Sequence, residues 1–238
     1  MFGWRGRIGL ILPSNNTVMQ QEFSMFVPRG VSVHTARLGA VRDTSPEVLI
    51  KMSEHAERAA GELASCDVNI IIYGCTSGSF LKGSEFEKEL TKRIYKASNI
   101  LSFTTSKAMI EALRSVNAKK LAVATPYRKK TNEAEKRFLE DQGFEILRID
   151  GLGIVNPTDI GRLPPYKAYE MGKSVNSEEA DTIFISCTDF RTFEIIDPLE
   201  RDLGKHVISS NQASLWMALK LLNIHMEEKL GSLFLNTE

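Results

Sequence analysis

The chain repeats itself at a near-constant interval. An apolar run at residues 7–12 leads into Pro13, and another at 68–73 leads into Gly74-Cys75-Thr76. In the second half a run at 120–124 leads into Thr125-Pro126, and one at 182–185 into Ser186-Cys187-Thr188. Pro126 follows Pro13 by 113 residues (126 − 13), and Cys187 follows Cys75 by 112 (187 − 75). Two features kept at almost the same offset point to duplication of one supersecondary unit, which constrains the fold to two similar halves. The division is expected near residue 115, giving lobes at 1–115 and 116–238, with the C-terminal helix packing back on the first.

Within each half, short apolar runs alternate with longer amphipathic ones. Residues 8–12, 31–36, 68–73, 120–124, 144–149 and 182–186 read as strands. A run such as Asn69-Ile70-Ile71-Ile72-Tyr73 is apolar on both faces, as a parallel strand sandwiched between helices must be. The fold class is therefore α/β, with parallel sheets. Helices are expected over 46–64, 99–114, 131–142 and 210–229. The first opens with Ser45-Pro46-Glu47, a cap residue, a proline suited to the first helical position and an acid complementing the dipole. The third is followed by Gly143, a helix stop.

Composition excludes several functions. With 30 basic and 30 acidic side chains the net charge is zero, which offers no global field for nucleic acid or an anionic membrane. No run reaches the roughly 18 apolar residues of a membrane span. The N-terminus lacks the pattern of a signal peptide, so the cytoplasm is the expected location. Three cysteines are too few and too odd a set for a disulfide framework, and free thiols are expected.

Ligands of open parallel sheets bind beyond the carboxyl ends of the strands, and all four repeat features lie there. If the two halves face each other about a pseudo-two-fold axis, Cys75 and Cys187 approach one cleft from opposite sides. Backbone N–H groups following each cysteine are placed to hold a carboxylate and to favour thiolate over a thiol whose ordinary pKa is about 8.5. Cys66, in a helix-to-strand link with no motif around it, reads as a packing residue. His34, His55, His206 and His225 lie outside both motifs, and the cysteines are not at ligand spacing, so no metal is expected. Pro13-Ser14-Asn15-Asn16-Thr17 follows the first strand without a glycine-rich fingerprint or a Walker lysine, and Gly-x-Ser-x-Gly is absent. Neither a nucleotide cofactor nor a serine hydrolase is indicated.

Over essentially its whole length the chain resembles the aspartate/glutamate racemase superfamily, and within it the maleate cis-trans isomerase and arylmalonate decarboxylase branch. The resemblance rests on residues 8–17, on Gly74-Cys75-Thr76-Ser77-Gly78-Ser79, on Ala124-Thr125-Pro126-Tyr127, on Asn156 with Ile160-Gly161, and on Ser186-Cys187-Thr188. It implies two Rossmann-like lobes, no cofactor, and a small carboxylate held between two cysteines. On this resemblance Cys75 matches the nucleophile and Cys187 the acid/base partner, while Asn16, Tyr127 and Asn156 match substrate-holding residues. Thr76, Ser77 and Thr188, beside the thiols, join that set. Read on their own, Asn16 is a helix cap, Tyr127 a loop anchor and Asn156 a turn residue.

Departures sort the branches. Racemases resemble this chain in having two cysteines but carry a histidine after the second Cys-Thr, where Asp189 stands here. The decarboxylases look similar with only the second cysteine. The expected activity is cofactor-independent isomerisation of maleate, or a related small dicarboxylate, by thiolate addition. Two-thiol racemisation, decarboxylation and plain carboxylate binding are the rivals. Arg191 reads as a solvated side chain, and a homodimer is the base-rate expectation.

Overall fold

The computed structural model describes residues 2–39, 45–226 and 230–236. The first half runs β1 (Gly6–Leu12), α1 (Met19–Phe26), β2 (Val31–Arg37), α2 (Pro46–Met52), a 3-10 turn (Ser53–His55), α3 (Ala56–Ala64), β3 (Ile70–Tyr73), α4 (Thr76–Phe80), α5 (Gly83–Ser98), β4 (Ser102–Thr104) and α6 (Thr105–Ser115). The second runs β5 (Lys120–Thr125), α7 (Lys129–Asp141), β6 (Glu145–Gly151), a 3-10 turn (Pro157–Asp159), α8 (Pro165–Val175), β7 (Thr182–Ile185), a 3-10 turn (Phe193–Ile195), α9 (Ile196–Leu203), β8 (His206–Ser209) and α10 (Ser210–Leu221), with a last 3-10 turn at Ser232–Asn236.

Each half builds one parallel four-stranded sheet, ordered β2-β1-β3-β4 in the first and β6-β5-β7-β8 in the second. The two orders are the same arrangement read twice, as the repeat predicts. Alternation along the strands explains the burial of both faces. Ile8, Leu10 and Leu12 of β1, with Ile70 and Ile72 of β3, point into one apolar cluster, while Ile11, Ile71 and Tyr73 point into another beneath α3 and α5.

The first of these clusters is shared between the halves. It joins Ile8 and Ile72 to Leu121, Val123, Ile183 and Phe184, so the two sheets are fused through one core. Helix α10 contributes to this: it follows β8 in the second sheet yet packs along α6 of the first. Its start is well specified, because Ser209 and Gln212 form a reciprocal capping box.

Three sequence expectations are corrected. The helix expected over 46–64 is broken by the 3-10 turn Ser53–His55. The one expected over 99–114 begins instead with β4, and α6 starts only after Thr104, whose side chain accepts from the Lys107 N–H at 3.1 Å. The last helix ends at Leu221, where Asn223 turns the chain with φ +53. Residues 227–229 of that expected helix lie outside the described residues. Among the described residues no helix is long and apolar enough to cross a membrane.

Candidate active site

Strands β1 and β5, the central strands of their sheets, and their neighbours β3 and β7 end at one cleft. Pro13, Asn15, Asn16, Cys75, Thr76, Ser77, Tyr127, Cys187, Thr188 and Asp189 line it, and Leu49, Pro157 and Ile160 close it with apolar surface. The cavity is narrow, ≈ 40 Å³. A wider hollow of ≈ 630 Å³ lies at the amino ends of β7 and β8, lined by Asp181, Glu200, Lys205 and His206. It touches neither buried thiol, and its titratable groups are engaged by their neighbours: Asp181 accepts the Lys119 and Lys120 N–H groups, Glu200 those of Val207 and Ser232, Lys205 donates to Asn176 and His206 bonds Ser232.

Both cysteines are held where the repeat places them, but their surroundings differ. Cys75 follows Gly74, at which a Cβ would press on the side chains of Leu12 and Met19, so glycine lets these two pack against the end of β3. The Cys75 thiol caps the short α4, accepting the Gly78 N–H at 3.4 Å, and Ser77 also donates toward it. Cys187 lies at φ +121, a conformation L-residues rarely adopt, and strain of this kind gathers at functional sites. Its N–H is fixed by Ser210 Oγ at 3.0 Å. Its Sγ accepts the Asp189 N–H at 3.4 Å and the Tyr127 hydroxyl. No helix starts at Cys187, unlike Cys75, which α4 follows directly. The chain instead turns at Phe190, whose N–H returns to the Cys187 carbonyl.

Burial dominates the electrostatics. Desolvation pushes the Cys75 thiol up to about 11 against the help of Gly78 and Ser77, with the Asp189 charge raising it further. The Cys187 thiol is raised beyond that, first by burial and then by the adjacent Asp189, against the pull of the Asp189 N–H and Tyr127. The expectation that N–H groups would favour thiolate is therefore corrected. The donors are present, yet they do not outweigh dehydration, and both groups rest as thiols.

Asn16 does two things at once. Its Oδ1 accepts the Val18 and Met19 N–H groups at the start of α1, the capping role, while its Nδ2 donates to Thr188 Oγ1 at 3.1 Å. Thr188 in turn donates to the Gly74 carbonyl. Thr76 reaches Ser210 Oγ at 3.1 Å, the same hydroxyl that fixes Cys187. Asn156 stays apart: it is exposed and caps the 3-10 turn Pro157–Asp159 through Thr158, and only Pro157 and Ile160 of that segment line the cavity. Arg191 is half-exposed and paired with Glu194.

Sequence reasoning singled out no role for three buried carboxyls. Asp189 Oδ1 accepts the Thr17 N–H at 2.7 Å and the Val18 N–H at 3.1 Å, and its Oδ2 is buried without a partner among the described residues. Dehydration holds Asp189 up at about 6 despite those bonds. Glu22 of α1 accepts the Thr192 and Phe193 N–H groups and the Asn211 amide, pinning the segment after Cys187, and burial raises it to about 7. Glu135 of α7 sits behind Ser186, which donates to it, and burial raises it to about 8. Only Asp189 left a trace in the sequence, as a departure from the racemase pattern.

The family model described as arylmalonate decarboxylase matches residues 8–234. A maleate isomerase of Nocardia farcinica is 26% identical over 228 residues, covering 92% of this chain and 90% of that one. Arylmalonate decarboxylase of Bordetella bronchiseptica is 29% identical over 189 residues, 77% of this chain and 76% of that one. The solved structure of a mutant Nocardia farcinica maleate cis-trans isomerase, with a covalently bound succinylcysteine intermediate, superposes with a TM-score of 0.90 at 24% identity, covering 96% of this chain and 98% of that chain. A match that runs from β1 into the last 3-10 turn takes in both sheets and both cysteines, and on it the chain belongs to the arylmalonate decarboxylase family.

Proposed function

We propose that the protein isomerises maleate, or a closely related small cis-dicarboxylate, to the trans form by adding the Cys75 thiolate to the double bond. The observation that carries this reading is that equivalent strand ends of two like sheets bring two thiols to one cavity. Curated maleate isomerases matching nine-tenths of the chain support it, and so does the succinylcysteine of the Nocardia enzyme, an addition product at a cysteine.

Isomerisation needs the double bond to lose its order briefly. Cys75 gives up its proton to solvent and its sulfur bonds to one alkene carbon. The π pair moves to the other carbon and its carboxylate as an enediolate. That carbon takes a proton from Cys187, leaving a single bond that rotates. Cys187 then takes the proton back, the C–S pair returns to sulfur as the trans alkene leaves, and the Cys75 thiolate regains a proton from solvent, so protons and electrons balance over the cycle. The greater rise of the Cys187 thiol favours this division of labour, since the group that resists ionisation more is the better keeper of a proton. Asn16, Thr76, Ser77, Tyr127 and Thr188, which line the cavity, are proposed to hold the two carboxylates, and Asn156 to position Pro157 and Ile160 by capping their turn.

Decarboxylation would employ Cys187 and leave Cys75 without a task. The test is conversion of maleate to fumarate by purified protein in the presence of a chelator, followed by the absorbance of the alkene. Failure to convert maleate or any short cis-dicarboxylate, with turnover of an arylmalonate instead, would overturn the reading.

A further inference from the structure

Asp189 is an odd neighbour for a dianion. It lines the cavity between the two thiols' strand ends and is 6% exposed. One of its oxygens is spent on the backbone of Thr17 and Val18, and the other is buried without a partner among the described residues. An ionised carboxylate there would meet a substrate carboxylate across a narrow, dehydrated space, where like charges repel strongly.

Among the described residues none neutralises it by contact. The β1–α1 loop presents the neutral Thr17 and Val18, and the segment after residue 159 presents Gly161, whose missing side chain leaves room for the carboxyl. From the end of β2, Arg37 favours the ionised form, but its guanidinium is bonded to the Asn16 and Pro13 carbonyls and to Gln20. Cys187 and Cys75 face it from β7 and β3, and an ionised Asp189 disfavours either thiolate. A proton on Asp189 would remove the repulsion of the substrate, supply a donor to it and ease ionisation of Cys75.

We propose that Asp189 is a specificity-determining residue that binds the substrate as an acid, its Oδ2–H donating to a substrate carboxylate, so that each dianion is taken up with one proton. This rests on the dicarboxylate reading above. In the empty site Asp189 sits near 6, already raised by burial, and the arriving negative charge raises it further. Binding should therefore weaken roughly tenfold per pH unit once the free enzyme has lost this proton.

The test is calorimetric titration of maleate into the Cys75→Ser protein, which binds without turnover, in buffers of different ionisation enthalpy. About one proton is expected to be taken up per maleate at a pH well above 6, falling toward none well below it. Asp189→Asn keeps an acceptor for Thr17 and Val18 and offers N–H donors, so it should bind maleate without proton uptake and with a flat pH profile. A residue that only anchored the loop would leave the proton count unchanged in this variant. Binding without uptake in the Asp189-containing protein, or uptake that persists in Asp189→Asn, overturns this proposal alone. Absence of maleate binding at any pH overturns it together with the functional reading.

Discussion

Asn16 and Thr188 meet across the cleft, the amide of one half donating to the hydroxyl of the other at 3.1 Å. They are 172 residues apart in sequence, and each also holds its own half in shape. Asn16 caps α1, and Thr188 returns to the Gly74 carbonyl beside Cys75. The distance between the thiols is thus set by a polar clasp as well as by the shared apolar core.

Replacing Thr188 by valine keeps the volume and removes the clasp. It leaves the Asn16 amide and the Gly74 carbonyl buried without their partner, a loss of about 1–3 kcal/mol for each group so stranded. A lower denaturant midpoint at unchanged slope, with turnover reduced, is the expected result. An unchanged midpoint would mean that the clasp contributes nothing net.

Buried carboxyls should make the fold less stable as pH rises. Glu22 is raised to about 7 and Glu135 to about 8 from an ordinary 4.5, and Asp189 to about 6 from 3.8. Between each pair of values the folded chain keeps a proton that the unfolded chain releases. The stabilisation is therefore complete below the lower value and lost as pH climbs through the higher one. Each such group costs about 1.4 kcal/mol per pH unit in its window, or roughly 3–6 °C in Tm for a chain of this size. Melting curves from about 4.5 to about 8 should show the decline, and Glu135→Gln should flatten its upper part.

The thiols should label in a fixed order. Cys66 is exposed while Cys75 and Cys187 are buried, and Cys187 resists ionisation more than Cys75. Since the thiolate is the reactive form, iodoacetamide should modify Cys66 first, Cys75 slowly and Cys187 last. Peptide mapping over time reads this directly, and Cys187 reacting ahead of Cys75 would reverse the proton inventory of the site.

Much of the architecture was legible because burial on both faces leaves near-continuous apolar runs at β1, β3, β5 and β7, while the half-exposed edge strands β2 and β6 still keep enough apolar residues to read as strands. Strands β4 and β8 were not, since Ser102–Thr104 and His206–Ser209 are too short to carry a period and run directly into helices. The cysteines were legible from the offset alone. Asp189 was not legible as a cavity residue, nor Glu22 as an anchor for the segment after Cys187, because their partners Thr17 and Thr192 lie 172 and 170 residues away and no local pattern announces a buried carboxyl. Asn156 reads as a turn residue in isolation, and its side chain in fact caps the turn.

The central claim is that Cys75 bonds covalently to the substrate while Cys187 manages the proton. Its most direct test is peptide mapping by mass spectrometry of the Cys187→Ser protein incubated with maleate. With proton return impaired, the account predicts an adduct of one substrate mass on the peptide bearing Cys75, and none on that peptide in a Cys75→Ser control. Maleate turnover with no adduct on Cys75 under any quench, or an adduct on Cys187 when Cys75 is replaced, would contradict it.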